Sequence, residues 1–327
     1  MNAIKDTIII GNGFDIWQGL DTRYVAFQQY YLKHRDEIVR KLRIPKKKIQ
    51  WEDGDIQIIS DVELIYGNPF NPAELEDDFW GTFENSLSDI DADNINFFFG
   101  KSSQELRKML RSIKNAKRIL TKAFCDWIRT IEVDKRKPEY KFGENCVLIN
   151  FNYTDTISKR FEVFENSEFH IHGCAQNSKS IVFGHASHPE QPTKMLYRLG
   201  GRFRGLYNVE KLLYETDKHI EKRLEDLIIF LSLKGMRPEH IKHIYVLGHS
   251  MSNVDLEYFR FFANVTRSTE VLTKEKVQWH ISCHSETDRL NVKQTLLQLD
   301  NEIEYEIYDT IENCLKNFRV VVDKNIN

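Results

Sequence analysis

The stretch "TIIIGNGFDIWQGLDTRY", residues 7–24, is the most informative part of the sequence about the fold, because an apolar run passes directly into a glycine-rich turn. Three consecutive isoleucines, Ile8–Ile10, are typical of a strand buried on both faces in a parallel sheet. Gly11 and Gly13 carry no Cβ, so the chain can turn tightly there and approach another group closely. A helix that starts at this turn attracts anions through its amides and dipole, which indicates a phosphate-bearing ligand. The alternative interpretation is that the turn serves only packing, because the dinucleotide-binding pattern G-x-G-x-x-G would need glycine where Ile16 stands.

The order of the other strand-like runs predicts an α/β fold with a mostly parallel, doubly wound, Rossmann-like sheet. These runs are separated by helices or long connections rather than by two-residue turns. They are "CVLINFNYT" (146–154), "EFHIHG" (168–173), "SIVFGH" (180–185), "HIYVLGHS" (243–250), "VQWHISCHS" (277–285) and "EYEIYD" (304–309). We therefore expect the first strand to pair with the later strands across a large helical insertion.

The whole chain, residues 1–327, is expected to form a single domain. Its core is expected to combine about residues 1–20 with about 145–315. An acidic loop and a helical insertion are expected at about 45–140, and a further helical segment within about 190–240. After the opening motif, residues 20–42 are predicted to form an amphipathic helix, because Tyr24, Phe27 and Tyr31 recur at steps of three and four. The basic run Lys46–Lys48 is interpreted as a solvated loop, with nucleic-acid contact as the alternative.

Composition and charge exclude several classes of protein. With 41% hydrophobic and 29% charged residues the chain has the composition of a globular protein, and a net charge of −3 gives no global attraction for nucleic acid or an anionic membrane. The five cysteines are dispersed, and without a C-x-x-C pair they indicate neither a zinc module nor a disulfide framework. A reducing cytoplasm is expected. No signal-peptide pattern is present, and the apolar run at Leu227–Leu233 is too short to span a bilayer.

Polar residues close four of the predicted strands. In an open parallel sheet the carboxyl ends of the strands line the ligand crevice, so we expect these residues to converge on one cleft. They are Gly11-Asn12-Gly13, Asn150-Phe151-Asn152-Tyr153, His170-Ile171-His172-Gly173 and Gly248-His249-Ser250. Each segment alone also has a structural interpretation, since asparagine forms turns and a histidine at a strand end is often structural. Alternation would place both histidines of H-I-H on one face as metal ligands, but without a third ligand at recognisable spacing no metal is expected.

Together these segments resemble the AbiH family of bacterial abortive-infection proteins. The resemblance extends from the N-terminus to about residue 260 and implies a cytoplasmic antiphage effector. Its candidate partners are a small-molecule nucleotide, a phage-derived trigger and a second copy of the chain. The segments that carry it are "IIIGNGFDIWQGLDTRYVAF", "FWGTFENSL", "NFNYTDT", "FHIHG", "IVFGH" and "YVLGHSMSNVDLEYF".

The order of the motifs is also similar to that of sirtuins and of the sirtuin-like NADases of phage-defence systems. Their G-A-G-x-S-x-x-x-G-I motif resembles "GNGFDIWQGL", their T-x-N-Y/I-D motif resembles "NFNYT", and their V-x-F-G segment resembles "IVFGH". Their catalytic H-G corresponds to His172-Gly173, and their late G-T/Y-S motif to "GHS" at 248–250. The resemblance implies NAD as substrate or ligand, with Asn152 and His172 as catalytic residues. The nucleotide contacts that it implies are Gly11, Asn12, Gly13, Asp15, Gly19, Gly248, His249 and Ser250.

Two positions depart from the sirtuin pattern. Asp15 replaces the serine of the first motif, and its carboxylate would be repelled by a pyrophosphate unless it caps the helix or binds a ribose hydroxyl. Thr154 stands where an aspartate usually follows the asparagine, although Asp155 is adjacent. The zinc-binding cysteines of deacetylating sirtuins are missing, which argues against protein deacetylation.

The resemblance therefore favours an effector that hydrolyses NAD to nicotinamide and ADP-ribose. A non-catalytic nucleotide-binding sensor of a phage-defence system is the alternative, and the departures at Asp15 and Thr154 favour it. A nuclease or RNA-binding toxin is a third hypothesis. The slight negative charge and the absence of a clustered acidic motif weigh against it.

A few other polar residues have two interpretations each. Glu84, in a helix expected to pack, would alternatively cover the cleft as part of a lid. His185 and His188 are candidates for the rim of the cleft. Asp255 in "SNVD" is expected to begin or cap a helix, with substrate contact as the alternative.

Overall fold

The computed structural model describes residues 3–50, 56–66, 103–134, 141–161, 163, 166–175, 177, 181–182, 219–300 and 302–317. In chain order the strands are β1 (Asp6–Ile10), β2 (Lys47–Gln50), β3 (Ile56–Ile59), β4 (Cys146–Asn150), β5 (Glu168–His170), β6 (His243–Leu247), β7 (Gln278–Ser282) and β8 (Glu304–Tyr308). The α-helices are α1 (Asn12–Trp17), α2 (Tyr24–Lys41), α3 (Asp61–Tyr66), α4 (Ser103–Thr130), α5 (Thr156–Arg160), α6 (Ile220–Leu233), α7 (Leu256–Thr273), α8 (Glu286–Leu299) and α9 (Ile311–Asn317).

The chain divides into two compact units. The first comprises Met1–Thr22, Ile128–Ile181 and Glu221–Asn327, and the second comprises Arg23–Trp127 and Val182–Ile220. The first unit contains a six-stranded sheet, and the second contains the two-stranded sheet of β2 and β3.

The six-stranded sheet has the order β5-β4-β1-β6-β7-β8, and all neighbouring strands in it are parallel. Numbered along the chain within this sheet, the order is that of dinucleotide-binding α/β folds. β1 is central, and its Ile8 lies opposite both Leu148 of β4 and Tyr245 of β6. The mostly parallel, Rossmann-like α/β fold predicted from the sequence is confirmed, as is the pairing of the first strand with the later ones.

Both faces of the central strand are buried, which explains its continuous apolar sequence. Ile8 and Ile10 point to one face, where they join a core cluster that includes Phe14 and Leu148. Ile9 points to the other face and is also fully buried. Burying a side chain of this size contributes about 1.5–3 kcal/mol, so β1 is a major source of the stability of the sheet.

In the second unit, α2 buries the face that the sequence predicts. Tyr24, Phe27 and Tyr31 are all at most 1% exposed. The ring centroid of Phe27 lies 5.4 Å from those of Phe124 and Trp127 on α4, so aromatic packing holds these two helices together.

The antiparallel hairpin of β2 and β3 is a correction to the sequence analysis. Lys47 pairs with Ile59 in this hairpin, so the basic run lies partly in a strand rather than in a solvated loop. The Lys47 ammonium lies 3.7 Å from Oδ1 of the buried Asp61. Consecutive lysines are depleted in strands, and for that reason the pattern does not indicate one here.

Several expectations fall largely or wholly outside the described residues. They concern the strand at 180–185, of which only 181–182 are described, the segment 79–102 with Glu84, and the positions of His185 and His188. Among the helices that the structure describes, none is long and apolar enough to cross a membrane.

Candidate functional site

Two glycine turns meet at the carboxyl ends of the neighbouring strands β1 and β6. The Gly11 N–H donates to a β6 carbonyl at 3.0 Å, and the Gly13 N–H donates to the Gly248 carbonyl at 2.7 Å. A Cβ on Gly11 would lie 2.5 Å from His249 Cα, and one on Gly248 would lie 2.3 Å from the Phe14 nitrogen. Gly248 also has a φ of 62°, which favours glycine. The close packing of the two turns therefore requires glycine, and the amides of Gly11 and Gly13 are used within the protein.

The other predicted contacts of the glycine motifs lie around this meeting point. Asn12 is the first residue of α1 and is partly exposed, and Ser250 is exposed in the turn after β6. Gly19 lies beyond the carboxyl end of α1 with a φ of 78°, and its N–H donates to the Ile16 carbonyl at 2.9 Å. This geometry ends the helix, so the structure gives Gly19 a role in terminating α1.

The two asparagines at the end of β4 build a turn that contacts β1. The Asn152 N–H donates to Asn150 Oδ1 at 2.8 Å, the local bond by which asparagine forms turns. Asn150 Nδ2 donates to Glu168 on the adjacent strand at 2.7 Å, and Asn152 Nδ2 donates to the Gly11 carbonyl at 3.0 Å. The turn therefore places the buried side chain of Asn152 directly against the glycine turn of β1.

Asp15 and Thr154, the two departures from the sirtuin pattern, contact each other. The Thr154 hydroxyl donates to Asp15 Oδ2 at 2.7 Å and accepts a bond from the Thr156 hydroxyl at 2.9 Å. Asp15 is 1% exposed. Burial raises the pKa of Asp15 from 3.8 to about 6, against the opposing effect of hydrogen bonds from Thr154, Thr156 and Asn152. This carboxyl group joins α1 to the turn after β4.

A second carboxylate, that of Asp255, lies between two histidines. Asp255 Oδ1 lies 3.2 Å from His172 Nε2, and Asp255 Oδ2 lies 3.5 Å from His249 Nε2. The exposed fractions are 4% for His172, 7% for His249 and 7% for Asp255, so all three residues are buried. Asp255 immediately precedes α7 as expected, but its side chain makes no capping hydrogen bond to the helix.

Aromatic rings hold the two imidazoles in place. The ring centroid of Phe151 lies 4.5 Å from that of His249 and 5.4 Å from that of His172, in edge-to-face geometry. Tyr153 stacks on His172 at 5.8 Å, and Tyr258 of α7 contacts Phe151 at 5.4 Å. The segment after β4 therefore makes two kinds of contact. Asn152 bonds to the glycine turn, and its neighbours Phe151 and Tyr153 contact the histidines.

The two histidines of "HIH" have different environments. β5 ends at His170, so the strand alternation does not continue to His172. His170 Nε2 lies 3.3 Å from Glu168 Oε1, and His170 Nδ1 lies 3.1 Å from the Asn152 carbonyl oxygen, whereas His172 faces Asp255. Within the part of the chain that the structure describes, no group of three or more histidine, cysteine or acidic side chains is arranged to hold a metal ion.

The structure thus brings together Asn152, His172, His249 and the glycines of both turns, and it adds Asp255 and Thr154. Sequence reasoning missed the contact between Asp255 and the histidines because the position before a helix already explains an aspartate. The sequence signal that could have indicated this contact is Asp255 itself, an acidic residue shortly after "GHS", which follows the carboxyl end of a predicted strand.

These features define an α/β protein of the Rossmann-like class with a polar site at the carboxyl ends of its central parallel strands. The chain matches the family described as bacteriophage abortive infection AbiH over residues 7–282, which is most of its length and includes every residue of the site. The protein belongs to the AbiH family, and this membership implies a role in bacteriophage abortive infection. No curated protein and no solved structure matches the chain.

Proposed function

We propose that the protein binds NAD at the carboxyl ends of β1, β4 and β6 and hydrolyses it to nicotinamide and ADP-ribose during phage infection. One observation carries this proposal. The strand order of the sheet changes direction between β1 and β6, which makes this position the topological switch point of the sheet. Asn152 and His172, which is paired with the Asp255 carboxylate, lie there next to the two glycine turns. This is the place where open α/β sheets bind nucleotides.

The residues of the site match the chemistry of NAD hydrolysis. The bond between nicotinamide and ribose C1′ breaks, and its electron pair leaves with the nicotinamide nitrogen. A water oxygen forms the new bond to C1′, and the proton released from that water passes to His172. Asn152 can both donate and accept hydrogen bonds, which suits it to hold the water or a ribose hydroxyl. General-base catalysis contributes about 100- to 10,000-fold, so His172 is expected to dominate turnover.

The contact between Asp15 and Thr154 removes an objection to NAD as ligand. A carboxylate facing the ligand would repel a pyrophosphate, but Asp15 is 1% exposed and accepts the Thr154 hydroxyl. The two departures from the sirtuin pattern are therefore one hydroxyl–carboxylate pair inside the protein. This pairing supports a site that keeps the order of sirtuin motifs with two positions exchanged.

The test measures NAD loss and ADP-ribose formation by the purified protein and in phage-infected cells. His172→Ala and Asn152→Ala are compared with His243→Gln, because His243 lies at the amino end of β6 on the opposite edge of the sheet. Wild type and His243→Gln are expected to consume NAD, and His172→Ala at least about 100-fold more slowly. Unchanged NAD in infected cells that wild type still protects would refute the proposal.

A second function, that of a non-catalytic nucleotide-binding sensor, is favoured by the use of the Gly11 and Gly13 amides within the protein. These two N–H groups donate to the carbonyls of Leu247 in β6 and of Gly248, so they are not available to bind a phosphate. The sensor predicts calorimetric binding of NAD or ADP-ribose without turnover, and protection against phage that persists in His172→Ala. Loss of protection together with loss of NAD consumption in that variant would exclude it.

A further inference from the structure

We propose that Asp255 is the positioning residue of the site, and that it holds the proton of His172 on Nε2 so that Nδ1 is the atom that accepts a proton from water. This role rests on the proposed function of His172 as the general base. Asp255 itself does not exchange a proton with the substrate in this proposal. It acts through the orientation and the tautomer of the imidazole.

The hydrogen bond to Met251 fixes the state of the second histidine. The Met251 main-chain N–H donates to His249 Nδ1 at 2.9 Å, in a buried contact. A main-chain N–H can only donate, so His249 Nδ1 is the acceptor and the proton of the neutral ring is on Nε2. That N–H faces Asp255 Oδ2 at 3.5 Å, so the Asp255 side chain must present an acceptor to His249.

The carboxylate presents an acceptor to His172 as well. An ionised carboxylate has only acceptor atoms, and Asp255 Oδ1 lies 3.2 Å from His172 Nε2. In the neutral imidazole the proton is therefore on Nε2, and the lone pair of the ring is on Nδ1. Phe151 and Tyr153 contact the same ring, at centroid distances of 5.4 and 5.8 Å, and they limit its rotation.

Replacing the carboxylate by an amide has a defined consequence. Asparagine at this position offers one acceptor oxygen and one donor NH₂ group. His249 cannot change its tautomer while Met251 donates to Nδ1, so the oxygen must face His249 and the NH₂ group must face His172. His172 Nε2 would then accept a hydrogen bond, and the proton of the ring would move to Nδ1. In that tautomer Nδ1 has no lone pair with which to accept a proton from water. Asp255→Asn should therefore keep the fold and misplace one proton. A residue that supports only the fold would change the stability of the protein, and it would not move one proton between the two nitrogens of His172.

The direct test is ¹H–¹⁵N spectroscopy of histidine-labelled full-length protein at pH 8, with the His172 signal assigned by its loss in His172→Gln. The expected results are an Nε2–H tautomer of His172 in wild type and an Nδ1–H tautomer of His172 in Asp255→Asn. An Nδ1–H tautomer in wild type, or an unchanged tautomer in Asp255→Asn, would overturn the proposal.

The kinetic test separates this proposal from the proposed function. If the protein hydrolyses NAD, Asp255→Asn should lower kcat by about 100- to 10,000-fold with KM nearly unchanged. A loss confined to KM, or an unchanged kcat, would contradict the positioning role. If wild type hydrolyses no NAD, the proposed function fails, while the tautomers still decide how Asp255 acts on His172.

Discussion

Replacing Asp15 by asparagine is expected to stabilise the protein above about pH 6 and to leave its stability unchanged below pH 3.8. Burial raises the pKa of Asp15 from 3.8 to about 6 in the folded protein. Between these two values the unfolded chain has lost a proton that the folded protein retains, so the free energy of unfolding falls as the pH rises. The difference corresponds to up to about 3 kcal/mol at neutral pH. The asparagine amide keeps an acceptor for the Thr154 hydroxyl and carries no charge to bury.

Urea unfolding followed by circular dichroism across a pH series would measure this difference between the variant and wild type. Asp300→Asn is a control of opposite sign, because the Glu302 N–H and the Arg267 guanidinium hold the pKa of Asp300 below its ordinary value. That control should lose stability at neutral pH and not at low pH. If Asp15→Asn changed the free energy of unfolding equally at every pH, or destabilised the protein at pH 8, Asp15 would not be a buried carboxylate that the fold disfavours.

Three further variants or treatments test the packing of the first unit. Gly248→Ala should lower the free energy of unfolding, measured in urea, by about 3 kcal/mol or more, because its Cβ would lie 2.3 Å from a main-chain nitrogen. Gly235→Ala is the control, with a φ of 70° and open space around the new Cβ, and it should lower the free energy of unfolding by about 1–2 kcal/mol. Thr266→Val should cost about 1–3 kcal/mol by removing the acceptor 3.0 Å from the buried Trp279 indole N–H, and Thr266→Ser should not. Burial raises the pKa of Cys146 to about 12, so iodoacetamide at pH 8 should alkylate it only after unfolding, as read by mass spectrometry.

The sheet could be predicted from the sequence because its strands carry strong local signals. Continuous apolar runs such as Ile8–Ile10 and 146–149 are buried on both faces, and few other structures explain such runs. The strands end earlier than the runs suggest, since the run at 146–154 forms a strand only over Cys146–Asn150. The polar residues beyond that point belong to the turn that Asn150 begins. The hairpin of β2 and β3 was not predictable, because its lysines oppose the usual composition of strands.

The site was predictable in its location and not in its contacts. Strand order and the ends of the apolar runs indicate which segments converge, because carboxyl ends of parallel strands share one edge of the sheet. They do not indicate which side chains pair within that edge. Asp255 lies about eighty residues after His172 in the chain, and only the fold brings its carboxylate to 3.2 Å from that ring. The two glycine turns show the same limit, since the sequence indicates a close approach and does not identify its partner as Gly248.

The pair formed by Asp15 and Thr154 bears on the proposed resemblance to sirtuins, because the two positions that depart from the sirtuin pattern share one hydrogen bond in this chain. That pattern has a hydroxyl residue in the first motif and a carboxylate after the asparagine, whereas this chain has the carboxylate first and the hydroxyl second. In this chain the Thr154 hydroxyl donates to Asp15 Oδ2 at 2.7 Å, so the two side chains satisfy each other inside the protein. Counted separately, the two positions are mismatches and favour a protein that has lost catalysis. Counted as a contact, they are one buried hydroxyl–carboxylate pair, and our proposal of NAD hydrolysis keeps Asn152 and His172 as its catalytic residues.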